Sequence, residues 1–268
     1  MFNTRPPLPQ PQYLPIKNSE AKKLWNKNPD IILVSADAYV DHPSFAAALL
    51  GRTLIEAGYS VAVISQPDWK DRSGKSFTEF GKPNLFFAIV PGAVDPMINA
   101  YTPALRKRRD DAYSPGGKPT RPDRVSIVYT NMLHRLYPDV PIVLGGVEAS
   151  LRRFAHYDYW SESLKRSILL DSQADLLMYG MGEKSIVELA DALNAGMEAK
   201  DITCEVEAKE KKLGEAPGEV IAAISMAMHE MQNDVHDVED TVLTITRVKR
   251  TYSPWSSKIY TLRELPKK

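Results

Sequence analysis

The sequence predicts an α/β fold, a mostly parallel sheet with flanking helices, because short β-branched or apolar runs alternate along it with helical patterns. One stretch shows the unit whole. An apolar run at 31–36 leads to a helical stripe of Phe45, Leu49, Leu50 and Leu54, a stop at Gly58 and a second run at 61–65. Strand, helix, glycine and strand make a βαβ unit, whose crossover leaves the two strands parallel. Further strands are expected at 85–90, 125–130, 141–144 and 176–179. The stripe Ile186, Leu189, Ala190 and Leu193, closed by Gly196, predicts a last helix against the sheet.

A length of 268 residues suits one large domain plus a small one, and 43 % hydrophobic residues can fill a core. Residues 1–27 read as a Pro-rich N-terminal arm, 28–197 as the α/β domain and 198–217 as a charged linker of acids and lysines. Residues 218–268 read as a small helix-strand appendage, with Val220, Ile224, Ala227, Met228 and Met231 on one helix face. Such a piece buries too little to stand alone, so it should dock or find a partner.

Lys+Arg and Asp+Glu both number 34, so no global field steers the chain to nucleic acid or anionic lipid. No apolar run approaches the roughly 20 residues that span a bilayer, and residues 1–12 are Pro-rich where a signal peptide is apolar, so a cytoplasmic protein is expected. The one cysteine, Cys204, excludes an internal disulfide and any multi-cysteine zinc or iron–sulfur site. His229, Glu230, His236 and Asp237 could hold zinc, but polar residues on a solvated helix and turn explain them more simply, and no metal site is expected.

Candidate site residues gather where strands end, since ligands of open α/β sheets sit beyond the carboxyl ends of strands. Two loops there, 67–83 and 106–122, exceed the roughly 2–6 residues usual in such units. After the first strand come Asp37, Asp41 and His42, a ligand or acid–base group that competes with ordinary helix N-cap chemistry over 41–44. Gly145 and Gly146, with Glu148 behind them, either let backbone approach a ligand or make a tight turn. Residues 150–160 pack Arg152, Arg153, His156, Tyr157, Asp158, Tyr159 and Trp160 together. The arginines could clamp a carboxylate or phosphate while the rings stack on a planar group, or pair with Asp158 and Glu162 beneath an aromatic cover. Gly180, Gly182 and Glu183 form a glycine-rich strand-to-helix turn whose amides could hold an anion, without the spacing of a nucleotide-triphosphate loop. The run 105–111 reads as a solvated, internally paired charge cluster.

The strings Asp37-Ala-Tyr-Val-Asp-His-Pro-Ser-Phe45, Arg109-Asp-Asp-Ala-Tyr-Ser-Pro-Gly-Gly117, Arg121-Pro-Asp-Arg124, Tyr179-Gly-Met-Gly-Glu183 and the whole of 145–160 resemble the N-terminal domain of the YgiQ-like radical SAM proteins, in consistent order over about residues 28–195. The layout is also similar to the cobalamin-binding-like, Rossmann-like domain that precedes many radical SAM cores. The lower-ligand motif Asp-x-His-x-x-Gly is absent, since Tyr39 stands where the His would be. The resemblance implies that full-length relatives bind a [4Fe–4S] cluster and S-adenosylmethionine through a Cys-x3-Cys-x2-Cys loop, which leaves one iron open. A single Cys204 cannot supply that loop. Asp37, His42, Glu148, Arg152, Arg153 and His156 would then face the catalytic barrel and help close its substrate pocket.

Residues 214–265, including Tyr252-Ser-Pro-Trp-Ser-Ser-Lys-Ile-Tyr260, resemble the soluble tail of the gamma subunit of sodium-pumping oxaloacetate or methylmalonyl-CoA decarboxylases, without the membrane helix of that family. Two functions stay open. The chain is an accessory, substrate-facing domain whose partner is a radical SAM barrel, or an interaction protein whose tail meets subunits of a biotin-dependent decarboxylase. A third origin for the pattern is two gene fragments joined by rearrangement.

Overall fold

The computed structural model describes residues 5–202. The appendage expected at 218–268, Cys204 and most of the linker expected at 198–217 lie outside those residues.

Five strands form one sheet: β1 (Ile31–Ser35), β2 (Val61–Ser65), β3 (Phe86–Val90), β4 (Ile142–Leu144) and, after the two strands of a separate hairpin, β7 (Leu176–Leu177). Their order is β2-β1-β3-β4-β7 and every pair is parallel, as the sequence leads one to expect. All five residues of β1 are buried, and alternate ones face opposite ways. Ile32 and Val34 join a layer with Val125, Tyr129 and Leu133, whereas Ile31 and Leu33 join one with Leu54, Ile55, Ile186 and Leu189. The second layer is the expected one, built from α2 (Ala46–Glu56) and α7 (Glu183–Asn194). The first comes from a segment that the sequence reading assigned to a strand.

Residues 125–130 are not a strand but open helix α4 (Val125–Leu136). Their β-branched and aromatic content suggests extended chain, yet the buried positions Val125, Ser126, Tyr129, Thr130 and Leu133 recur at the helical period and face the sheet together. Burial against a sheet outweighs an intrinsic preference of a few tenths of a kcal/mol per residue, roughly.

Short elements complete the unit: α1 (Asn18–Trp25), α3 (Pro96–Ala100), α5 (Gly146–Leu151), α6 (Ile168–Ser172) and an antiparallel hairpin of β5 (His156–Asp158) and β6 (Ser163–Lys165). The segment before α1 lies along β2 and α2. Leu14 is buried against Gly51, the amide of Val63 donates to the carbonyl of Pro15 (2.9 Å), and Leu8 donates to Ile55 (3.1 Å).

Candidate functional site at the carboxyl edge of the sheet

The chain leaves β1 toward β2 on one side and returns to β3 on the other, so the carboxyl ends of β1 and β3 diverge and open the crevice where folds of this strand order take ligands. Residues of this chain fill it. Asp37, just past β1, accepts hydrogen bonds from the amide of Ala93 (2.7 Å) and from Nη1 of Arg121 (2.7 Å). The same guanidinium grips Asp111 in a fork, Nε to Oδ2 at 2.9 Å and Nη2 to Oδ1 at 2.6 Å. No more than 5 % of any of these three side chains is exposed. Gly92 is required beside them: its φ is +130°, and a Cβ there would stand 2.6 Å from Arg121 and 2.7 Å from Asp37.

The two carboxylates respond differently. Burial raises Asp111, but Arg121, the amide of Tyr113 and the hydroxyl of Ser114 outweigh it and hold the carboxyl at about 2. For Asp37 burial wins over the Ala93 amide and Arg121, the charge of Asp111 adds to it, and the carboxyl titrates above its ordinary value.

A second polar cluster lies past β3 and β4. Asp95 caps α3 through the amides of Met97 (3.0 Å) and Ile98 (3.2 Å) and holds the guanidinium of Arg152 in a two-point ion pair. Glu148 is 1 % exposed, and its Oε2 accepts both the amide (2.9 Å) and the hydroxyl (2.7 Å) of Ser126. A carboxylate carried by α5 thus caps the first turn of α4. Its Oε1 has no hydrogen-bond partner among the described residues, and burial pushes the carboxyl upward. Asp158 on β5 receives Arg124 (2.6 Å) and Ser161 (2.6 Å).

Two clefts flank Arg124 and Asp123, which line both. One, of about 420 Å³, is walled by Arg152, His156, Asp158, Trp160 and Lys165 over the apolar Met97, Ile127 and Ile168. The other, of about 430 Å³, lies between the two long loops. Those loops are joined where Trp69 donates to the carbonyl of Thr120 (2.8 Å). Trp160 packs on Tyr101 (ring centroids 5.4 Å apart), and the hydroxyl of Tyr159 donates to Pro103 (2.7 Å).

Of the expected site residues, Arg152, His156 and Asp158 come together on the first cleft, with Glu148 buried near Arg152. Asp37 stands apart at the crevice. Asp41 and His42 do not join them. Asp41 pairs with Arg52 of α2, and Nδ1 of His42 accepts the amide of Ser44 (3.1 Å). The expected N-cap over 41–44 is corrected as well, because α2 is capped by Phe45 with no side-chain bond. Arg152 and Arg153 part company: Arg153 donates to the carbonyl of Ser150 (2.6 Å) and lies over the rings of Phe154 and Tyr179. Nor do the two arginines pair with Asp158 and Glu162, since Arg124 takes Asp158 and Asp95 takes Arg152. Gly145 and Gly146 make the turn into α5, with Gly146 at φ +77°. Gly180 donates to the hydroxyl of Ser150 (3.2 Å), Gly182 caps α7, Glu183 opens its first turn, and Tyr157 is exposed. The run 105–111 is not paired within itself, because Asp111 is buried on Arg121.

Sequence reasoning missed Asp95, Arg121 and Arg124. Asp95 before Pro96 is a cap signature that could have been read. Arg121 reaches Asp111 at 10 residues and Asp37 at 84, and Arg124 reaches Asp158 at 34, separations that leave no periodic signal.

Large apolar side chains are exposed on the segments that follow β4 and β7: Leu151, Phe154, Tyr157, Leu164 and Met181 are 58–87 % exposed. Tyr157 and Leu164 face each other across the hairpin.

The residues present do not fit a cysteine-ligated cluster, which takes three thiolates. The chain has one cysteine, and no group of three or more His, Cys, Asp or Glu suited to a metal occurs among the described residues. No helix among them is long and apolar enough to cross a membrane.

A family profile described as radical SAM N-terminal matches residues 13–255, including most of the segment that resembles a decarboxylase gamma subunit. The chain is 55 % identical over 183 residues to a UPF0313 protein of Thermotoga neapolitana, covering 68 % of this chain and 32 % of the relative. It is 52 % identical over 185 residues to one of Geobacter sulfurreducens, covering 69 % and 30 %. A relative from Methanocaldococcus jannaschii is 48 % identical over 206 residues, covering 76 % and 34 %. The chain thus spans about a third of the length of the curated relatives it matches. No solved structure matches it.

Proposed function

Because this chain belongs to the radical SAM N-terminal family, we propose that it is the accessory, substrate-facing domain of a radical SAM enzyme, without catalytic power of its own. One observation carries the reading: a cleft of about 420 Å³ stands at the edge of the sheet where α/β folds bind, and the segments that follow β4 and β7 leave large apolar side chains exposed there. These apolar side chains are the docking surface, and the cleft becomes a closed pocket once the rest of the protein covers it. Arg152 and His156 reach the substrate side, while Asp95 and Asp158 hold the cleft's arginines in place. Thiolates for a [4Fe–4S] cluster, and with them S-adenosylmethionine, would come from the portion of the relatives that this chain does not span. Cobalamin has no part in this reading, because Arg121 fills the switch-point crevice and His42 turns back on its own loop.

The test adds the remaining two-thirds of the Thermotoga neapolitana relative, as a separate polypeptide, to this chain. Calorimetry should register an association that Leu164→Asp with Met181→Asp abolishes. No association, or one that ignores those substitutions, removes the reading. The gamma-subunit-like strings at 214–265 support a second reading, an assembly protein for a biotin-dependent decarboxylase. Capture of a biotin-carrying subunit by this chain, lost on removal of residues 214–268, would establish it instead.

A further inference from the structure

The cleft of about 430 Å³ between the two long loops differs in character from its neighbour, and nothing in the docking reading uses it. The chain as a whole is neutral, yet residues 101–124, which supply most of its wall, hold seven Lys or Arg against three Asp. Elsewhere on this edge Arg121 is matched with Asp37 and Asp111, Arg124 with Asp158 and Arg152 with Asp95, while Arg153 lies over the rings of Phe154 and Tyr179. Lys70, Lys107 and Arg108 line the cleft and form no ion pair among the described residues. Asp123 on the same wall is engaged by the hydroxyl of Tyr101 (2.7 Å), which leaves Asp110 as the carboxylate facing them.

These cations are also placed. The 101–124 loop is strapped to the core through the buried Arg121, and Trp69 ties it to the opposite loop. Lys70 lies over the ring of Trp69 (5.6 Å), Lys107 over that of Tyr101 (5.9 Å), and Nε of Arg108 is fixed on the carbonyl of Tyr101 (3.3 Å). Arg108 keeps its terminal nitrogens for a ligand, and the two ammonium groups add point charges beside it. Three donors of this kind around a cavity of small-molecule size suit an anion with several oxygens and more than one charge.

We propose that Lys70, Lys107 and Arg108 form a binding site for the phosphate groups of a small phosphorylated molecule. The same chemistry would accept the backbone of a nucleic-acid strand, so the experiment carries both. Calorimetry on the full chain at low salt measures inorganic pyrophosphate, citrate and a single-stranded oligonucleotide as probes. Pyrophosphate should bind, weaken as salt rises, and lose about tenfold or more in affinity in the variant Lys70→Ala/Lys107→Ala/Arg108→Ala. Should that variant melt early, the exposed Lys107→Glu alone carries the comparison. Absent pyrophosphate binding, or binding that the variants leave unchanged, overturns the site. Citrate bound as tightly overturns the assignment to phosphate, and an oligonucleotide bound about a hundredfold tighter overturns the small-molecule source. None of these outcomes depends on whether the chain docks on a second domain.

Discussion

Arg121 holds two buried carboxylates at once, so its removal leaves both without their cation. Arg121→Ala should cost about 3–5 kcal/mol of stability in urea unfolding. Arg152→Ala, which strands the buried Asp95, should fall in the same range, whereas the exposed Arg153→Ala should stay within about 0.5 kcal/mol. The titration of Asp111 has its own signature. Its carboxyl is depressed to about 2 in the folded chain, so its contribution is present above the ordinary carboxylate range and is lost as pH falls toward that value. Unfolding curves taken at successively lower pH should therefore show a stability loss that Asp111→Asn flattens. Little of this was legible in the sequence. Arg152 and Asp158 announce themselves by the density of residues 150–160, but Arg121 sits in a charged loop, and its tie to Asp37 spans 84 positions. Pairing over that separation is decided by topology, which residue-level reading does not reach.

Among the elements, α4 is the one the sequence disguised. The parallel strands were readable because each is a short apolar run between turn residues, a pattern that full burial of β1, β3 and β4 leaves continuous. In residues 125–130 the same residue types lie on a helix, and the recurrence at Tyr129 and Leu133 was the clue. Leu133→Ala should cost about 2–5 kcal/mol, since Leu133 is fully buried in the layer beneath the sheet. The start of α4 rests on Glu148, whose buried carboxyl is raised. A raised carboxyl contributes most below the ordinary range, and that contribution drains away as pH climbs through its folded value. Glu148→Gln keeps an oxygen for Ser126 and removes the titration. The stability of Glu148→Gln relative to the parent should therefore improve from acidic to alkaline pH, which paired denaturation series can measure.

At the level of the whole molecule, both clefts and the ion pairs of Arg121, Arg124 and Arg152 lie at the carboxyl edge of the sheet, among the described residues. The layered fold and its parallel sheet were plain from the sequence, whereas the two clefts arise from loops whose closure no periodicity records. The Pro-rich segment has a further consequence. A parallel sheet ends in two rims of unsatisfied amides and carbonyls, and such rims recruit other chains into growing fibrils. At β2 the segment lies alongside and takes the amide of Val63 through Pro15, a residue with no amide of its own to offer outward. At the far side the last strand has only two residues, too few to seed an addition. Removing residues 1–16 should thus turn a self-limited sheet into a template, seen in sedimentation as species that grow with time and concentration. The prolines ahead of α1 work as an insulator, ending at β2 a pairing that the sheet would otherwise pass on.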